Sequence, residues 1–82
     1  MATVTLRNFA AAREAAGCGS DTFDAATVAD LLVGATERYG ANWEAVLRSS
    51  RVWHNGDDAA NGLATVLSDG DEVAVLPPVS GG

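Results

Sequence analysis

Residues 71–82 read DEVAVLPPVSGG, and the end of that stretch carries the most distinctive chemistry in the sequence. Pro77 and Pro78 lack amide donors and hold φ near −65°, so they cannot continue a central strand and keep the chain extended. From Pro77 to Gly82 an extended chain reaches roughly 20 Å. Gly81 and Gly82 have no Cβ, so their backbone can thread a narrow channel, and the Gly82 carbonyl is open to attack. A free carboxylate is a poor acyl donor because it must lose oxide. ATP would make it an acyl-adenylate with a good leaving group, and a sulfur nucleophile would then give a thiocarboxylate. The expected reacting group is Gly82, delivered by the insertion segment Pro77, Pro78, Val79, Ser80 and Gly81.

Other reactive residues are few. His54 is the only histidine and Cys18 the only cysteine. One histidine makes neither a hydrolytic triad nor a metal centre without further partners in a recognisable pattern, so no metal is expected and His54 reads as hairpin surface. A single cysteine rules out an intramolecular disulfide. Between Gly17 and Gly19, with no basic neighbour in sequence, Cys18 reads as an incidental small residue. All five basic residues are arginines, so the chain has no ε-amine to be acylated.

The elements that must carry the tail fit one small domain. Eighty-two residues support a single core, and an apolar fraction of 48% is ample for it. No apolar run approaches the roughly 20 residues of a membrane span, and the opening MATVTLRNF has no signal-peptide pattern. The expectation is a soluble cytoplasmic protein. A net charge of −6 argues against nucleic acid or anionic lipid as partner. It also suits a basic partner surface, although an acidic surface that keeps a small protein in solution accounts for the charge equally simply, and on charge alone takes precedence.

Val4 and Leu6 alternate with Thr3, Thr5 and Arg7, predicting a strand with one buried face and Phe9 off the core parity. The run AAAREAA predicts a short helix over 10–16 stopped by Gly17, and Phe23 points inward from a brief strand over 21–24. Thr27 and Asp30 make a capping pair for a helix in which Val28, Leu31, Leu32, Ala35 and Tyr39 form one stripe ending at Gly40. Asn42 is the expected cap of a second, shorter helix with Trp43, Val46 and Leu47 on one face. Strand character returns at 51–54, Asn55-Gly56 suits a type I′ turn, and 63–67 is a looser apolar segment. After a turn over Ser68–Asp71, the last strand covers 72–76. The predicted class is α+β, a mixed sheet on one main helix, with the first and last strands parallel across a helical crossover. If Val73 and Val75 face that helix, Leu76 looks outward beside Phe9.

The run Asp69-Gly70-Asp71-Glu72-Val73, followed by Pro77-Pro78-Val79-Ser80-Gly81-Gly82, resembles the C-terminal signature of the MoaD-like sulfur carriers, the small subunits of molybdopterin synthase. Leu6-Arg7-Asn8-Phe9-Ala10 through Arg13-Glu14 and Gly17 also resembles that family, and the likeness spans essentially the whole chain. It implies a ubiquitin-like β-grasp domain over 1–76 and an extended tail over 77–82. It implies a chain that is not catalytic alone and binds no cofactor. An E1-like, MoeB-like adenylyltransferase would use ATP and magnesium to activate Gly82. The tail would then enter a MoaE-like large subunit, in a heterotetramer, and give sulfur to cyclic pyranopterin monophosphate to build the dithiolene of molybdopterin. Phe9 and Leu76 match the family's docking positions, with a third near Ala60 or Leu63. The sequence departs from the family's smoother Val-Asn-Gly hairpin at Trp53-His54-Asn55-Gly56, Asp57-Asp58 and Asn61-Gly62. Two other readings remain: a sulfur carrier for thiamine or cysteine synthesis, and a protein modifier or β-grasp interaction module. The absence of lysine excludes self-linked chains through ε-amines.

Overall fold

In the computed structural model, which describes residues 1–59 and 61–78, the alternation of the first residues becomes β1 (Ala2–Asn8). Ala2, Val4, Leu6 and Asn8 are buried, while Thr3 and Arg7 face solvent. The strand turns directly into α1 (Ala10–Ala16), which ends on Gly17 at φ 80, where the Gly17 N–H donates to the Arg13 carbonyl. Only glycine takes that left-handed conformation without a Cβ clash. β2 (Ser20–Ala25) is longer than the brief strand expected and pairs antiparallel with β1 from Ala2↔Ala25 to Arg7↔Ser20. Cross-strand pairing recruits Ser20 and Ala25, which a short local pattern does not mark as strand.

α2 (Val28–Tyr39) starts as its capping residues predict: the Thr27 hydroxyl accepts from the Asp30 amide at 3.2 Å. Val28, Leu31, Leu32 and Ala35 are buried, one stripe at helical spacing. The start of the next helix differs from expectation. α3 (Ala41–Arg48) is preceded by Gly40, not capped by Asn42, and no side-chain cap is made. Gly40 at φ 97 lets the chain turn at once, and its carbonyl accepts from the Glu44 amide at 3.2 Å, leaving Asn42 inside the first turn.

β3 (Arg51–His54) and the two-residue β4 (Asp57–Asp58) form a hairpin through Asn55 at φ 52 and Gly56 at φ 90, the pair of positive angles a type I′ turn needs. The apolar segment that follows contains a 3-10 turn, Gly62–Ala64, and a single bridge between Val66 and Thr27. β5 (Glu72–Leu76) completes a five-stranded sheet in the order β2-β1-β5-β3-β4. β5 is parallel to β1 and antiparallel to β3, as expected of first and last strands joined by a helical crossover.

The core lies between one sheet face and the helices. Val4, Leu6, Val73 and Val75 meet Val28, Leu31 and Ala35 there. α2 is not its only cover, because α3 contributes the fully buried Trp43. The Trp43 indole N–H donates to Asn8 Oδ1 at 3.0 Å, and Asn8 is itself only 2% exposed. A buried indole and a buried amide thus satisfy each other.

Candidate functional site at the tail end of the sheet

The outer face of the sheet is built by the second parity of each strand. Arg7 on β1 lies opposite Ala74 on β5, and Ala74 lies opposite Trp53 on β3. In the next row Leu76 lies opposite Arg51. Continuing the β1–β5 register one residue past Asn8↔Val75 sets Phe9 beside Leu76. The backbone holds it there, since the Phe9 N–H donates to the Val75 carbonyl at 3.3 Å and the Phe9 carbonyl accepts from Ala12 at 3.0 Å. Ala10 then takes φ 49, a left-handed conformation that costs a non-glycine residue about 1–2 kcal/mol. That turn begins α1 immediately after Phe9 and leaves the ring 38% exposed.

Phe9 and Leu76, singled out from parity, therefore share one end of the outer face; Leu76 is half-buried. β5 runs from Leu76 into Pro77, half-buried, and Pro78, exposed, so the tail leaves the fold at that end. Val79, Ser80, Gly81 and Gly82 lie outside the described residues, as does Ala60. Leu63 does not join Phe9 and Leu76. It lines an apolar groove on the helical side with Leu32, Val33 and Leu47.

Trp53 was missed by sequence reasoning. It is as exposed as Phe9 and lies on the same sheet face. The signal was available: Val52 sits on the core parity of β3, half-buried against the core, which turns Trp53 outward.

His54 is not the free hairpin surface expected of it. Its Nε2 lies 2.7 Å from Asp71 Oδ2, while Asn55 Nδ2 donates to Asp71 Oδ1 at 3.1 Å and the Ser68 amide donates to Oδ2 at 2.9 Å. The His54 contact first, then the Ser68 amide and Asn55, lower the Asp71 carboxyl from 3.8 to about 2. The cluster ties the β3–β4 turn to the turn that starts β5. Cys18 is half-buried with Sγ 3.7 Å from the Tyr39 hydroxyl. That hydroxyl donates to Asp21 Oδ2 at 2.9 Å. Burial, then the neighbouring Cys18 and Asp21, push the Tyr39 phenol upward, and Tyr39 and Arg38 hold Asp21 below its ordinary value. Among the described residues no group of three or more His, Cys, Asp or Glu side chains could hold a metal ion. None of their helices is long and apolar enough to cross a membrane.

Residues 6–82 match the model of the ThiS family. The chain belongs to that family. Two curated relatives match it at 36% identity: small archaeal modifier protein 3 of Haloferax volcanii, over 94% of this chain and 96% of its own, and the molybdopterin synthase sulfur carrier subunit of Chlamydomonas reinhardtii, over 90% and 92%. Among solved structures, small archaeal modifier protein 1 of Methanosarcina acetivorans superposes with a TM-score of 0.88 at 34% identity, covering 100% of this chain and 98% of that one. A chain in the complex of subunits 1 and 2 of molybdopterin-converting factor from Helicobacter pylori is a further match. That chain has a TM-score of 0.75 at 26% identity, with 98% and 99% covered. The ThiS-family chain thus has the ubiquitin-like β-grasp fold that its C-terminal signature implied, and it is a ubiquitin-like sulfur carrier of the ThiS/MoaD type.

Proposed function

We propose that this carrier serves molybdopterin synthesis. The observation that carries the reading is where β5 ends: Leu76 lies between Phe9 and Arg51, so the chain enters Pro77-Pro78 at the exposed apolar end of the outer sheet face. A partner that grips Phe9 and Leu76 therefore sits beside the point where the chain passes into Pro77-Pro78. The 36% identity with the sulfur carrier subunit of Chlamydomonas supports the pathway.

In the proposed cycle an E1-like adenylyltransferase of the MoeB kind binds ATP and magnesium. The Gly82 carboxylate attacks the α-phosphorus and pyrophosphate leaves. Hydrosulfide from the sulfur donor then attacks the acyl carbon and displaces AMP, which departs with the electron pair of its bond to that carbon, and loss of the S–H proton leaves a thiocarboxylate. The tail enters a MoaE-like large subunit in a heterotetramer, where the thiocarboxylate sulfur is transferred to cyclic pyranopterin monophosphate and water restores the carboxylate. The chain's own part is binding, reach and an unhindered acyl carbon.

The test is intact-mass measurement after incubation with an E1-like enzyme, MgATP and a sulfide donor, in a Cys18→Ala background so that the thiol is not mistaken for the product. One oxygen replaced by sulfur at Gly82, then lost on addition of the large subunit and pterin, is the expected result. Unchanged mass under conditions that load a known carrier refutes the reading. The equal identity with an archaeal modifier favours one alternative, attachment of this chain to other proteins. Covalent adducts that vanish on deletion of Gly82, without sulfur transfer to the pterin, would establish it instead.

A further inference from the structure

The five arginines of this acidic chain are unevenly placed. On the helical side, Arg38 is bound to Asp21 at 3.0 Å and to the Thr22 carbonyl, and Arg48 pairs with Glu44 at 3.7 Å. The other three, Arg7, Arg13 and Arg51, surround the apolar end of the outer sheet face. Arg7 places its guanidinium 5.4 Å from the Phe9 ring centroid and lies 3.6 Å from Glu72. Arg51 is exposed beside Leu76 on the opposite side. Arg13 projects from α1, its stem facing Gly19, into an open cleft of about 550 Å³ that it shares with Arg7, Phe9, Ser20 and the Glu72 that Arg7 holds. Neither Arg13 nor Arg51 forms an ion pair among the described residues. Of the carboxylates on this face, Glu72 is taken up by Arg7, Asp58 lies across Trp53 at the β4 edge of the row that holds Arg7, and Asp24 lies at the far end of β2, so none is paired with Arg13 or Arg51.

We infer that the partner seated on this face has an apolar floor edged by aspartate and glutamate side chains, which reverses the basic partner suggested by a net charge of −6. Resting on the proposed role, the occupant is the large subunit that receives the tail. Phe9, Leu76 and Trp53 meet its floor; Arg13 holds one carboxylate at the mouth of the cleft, beside the Arg7–Glu72 pair, and Arg51 takes another. Guanidinium forks suit this task because they bind carboxylates bidentately and lose little hydration doing so. Rim charges of this kind set the association rate and the register of docking, while the apolar centre sets the lifetime of the complex. A polyanion would meet the same arginines only against the repulsion of the rest of the surface.

The measurement is the affinity of the full chain for the large subunit that native mass spectrometry finds bound to it, by calorimetry at about 50 mM and about 500 mM NaCl, where screening differs widely. Binding should weaken with salt. Arg13→Glu and Arg51→Glu should each cost about tenfold at low salt and less at high salt, whereas Arg48→Glu, on the helical side, should change affinity less than about twofold. Thermal unfolding of each variant checks that the fold is intact. Trp53→Ala should weaken binding at both salts alike. Equal effects of the three charge reversals, binding indifferent to salt, no complex at all, or displacement by inorganic polyphosphate would each overturn the inference. Sulfur loading of wild-type Gly82 is scored separately: a loaded carrier whose arginine variants bind normally refutes the acidic partner and leaves the sulfur-carrier reading standing.

Discussion

The two tryptophans divide the molecule. Trp43, on α3, has no exposed surface, and its one polar atom is consumed by Asn8, 35 residues away in sequence. Trp53, on β3, stands on the outer sheet face with over a third of its surface in solvent. The same side chain stabilises the fold in one place and stays available to a partner in the other. What separates them is whether a second layer covers that side of the sheet. Helices cover the face that holds Leu6, Val73 and Val75, whereas the face that holds Arg7, Trp53 and Leu76 has no covering element among the described residues. An uncovered apolar group is a cost that a monomer avoids unless something binds it.

Substitution should break the symmetry sharply. Trp43→Ala should lose about 3–5 kcal/mol, because a large cavity opens and the Asn8 amide loses its donor. In a domain whose total stability is of the order of 5–15 kcal/mol, that variant should populate unfolded chains near room temperature. Trp53→Ala should lose less than about 1 kcal/mol, as surface changes generally do. Equal losses in urea titrations of the two variants would erase the distinction. Next in size is Asn8→Ala, which leaves the indole N–H unpaired in the core and should cost about 1–3 kcal/mol.

The polar cluster at the far turn gives a pH signature. Asp71 has a folded value lowered from 3.8 to about 2, so its contribution to stability is present above pH 3.8 and is lost as pH falls toward 2. Urea midpoints measured across that window should fall less steeply in Asp71→Asn than in the parent. An identical acid limb would show that the carboxylate is not a stabilising charge. The smallest effect is expected at Ala10, where Ala10→Gly relieves a left-handed angle and should stabilise by about 0.5–1 kcal/mol without altering the exposure of Phe9.

Which features the sequence disclosed follows from the range over which they are specified. The β1 alternation, the stripe of α2, the Thr27 cap and the Asn55-Gly56 turn each depend on residues within one or two turns of chain, and all are present. The outward parity of Phe9 and Leu76 was equally local. The start of α3 was misplaced because two acceptable caps lie two residues apart, and the freedom of Gly40 outweighed the side chain of Asn42. β4 consists of two aspartates with little strand propensity of their own and exists because the hairpin turn brings them to β3. The Asn8–Trp43 bond and the His54–Asp71 contact join residues 35 and 17 positions apart, and no periodicity announces them. The grouping of three arginines is likewise a property of the assembled sheet, since Arg7, Arg13 and Arg51 come from three separate elements.

β5 occupies the middle of the sheet and, among the described residues, is the strand that joins the β2-β1 pair to the β3-β4 hairpin. During synthesis those two halves leave the ribosome before the strand that unites them, and they can join only once residues 72–76 have slotted between. A nascent chain broken off ahead of that point forfeits its architecture. Closure of the sheet thereby waits on its central strand, and the two halves stay apart until that strand is made.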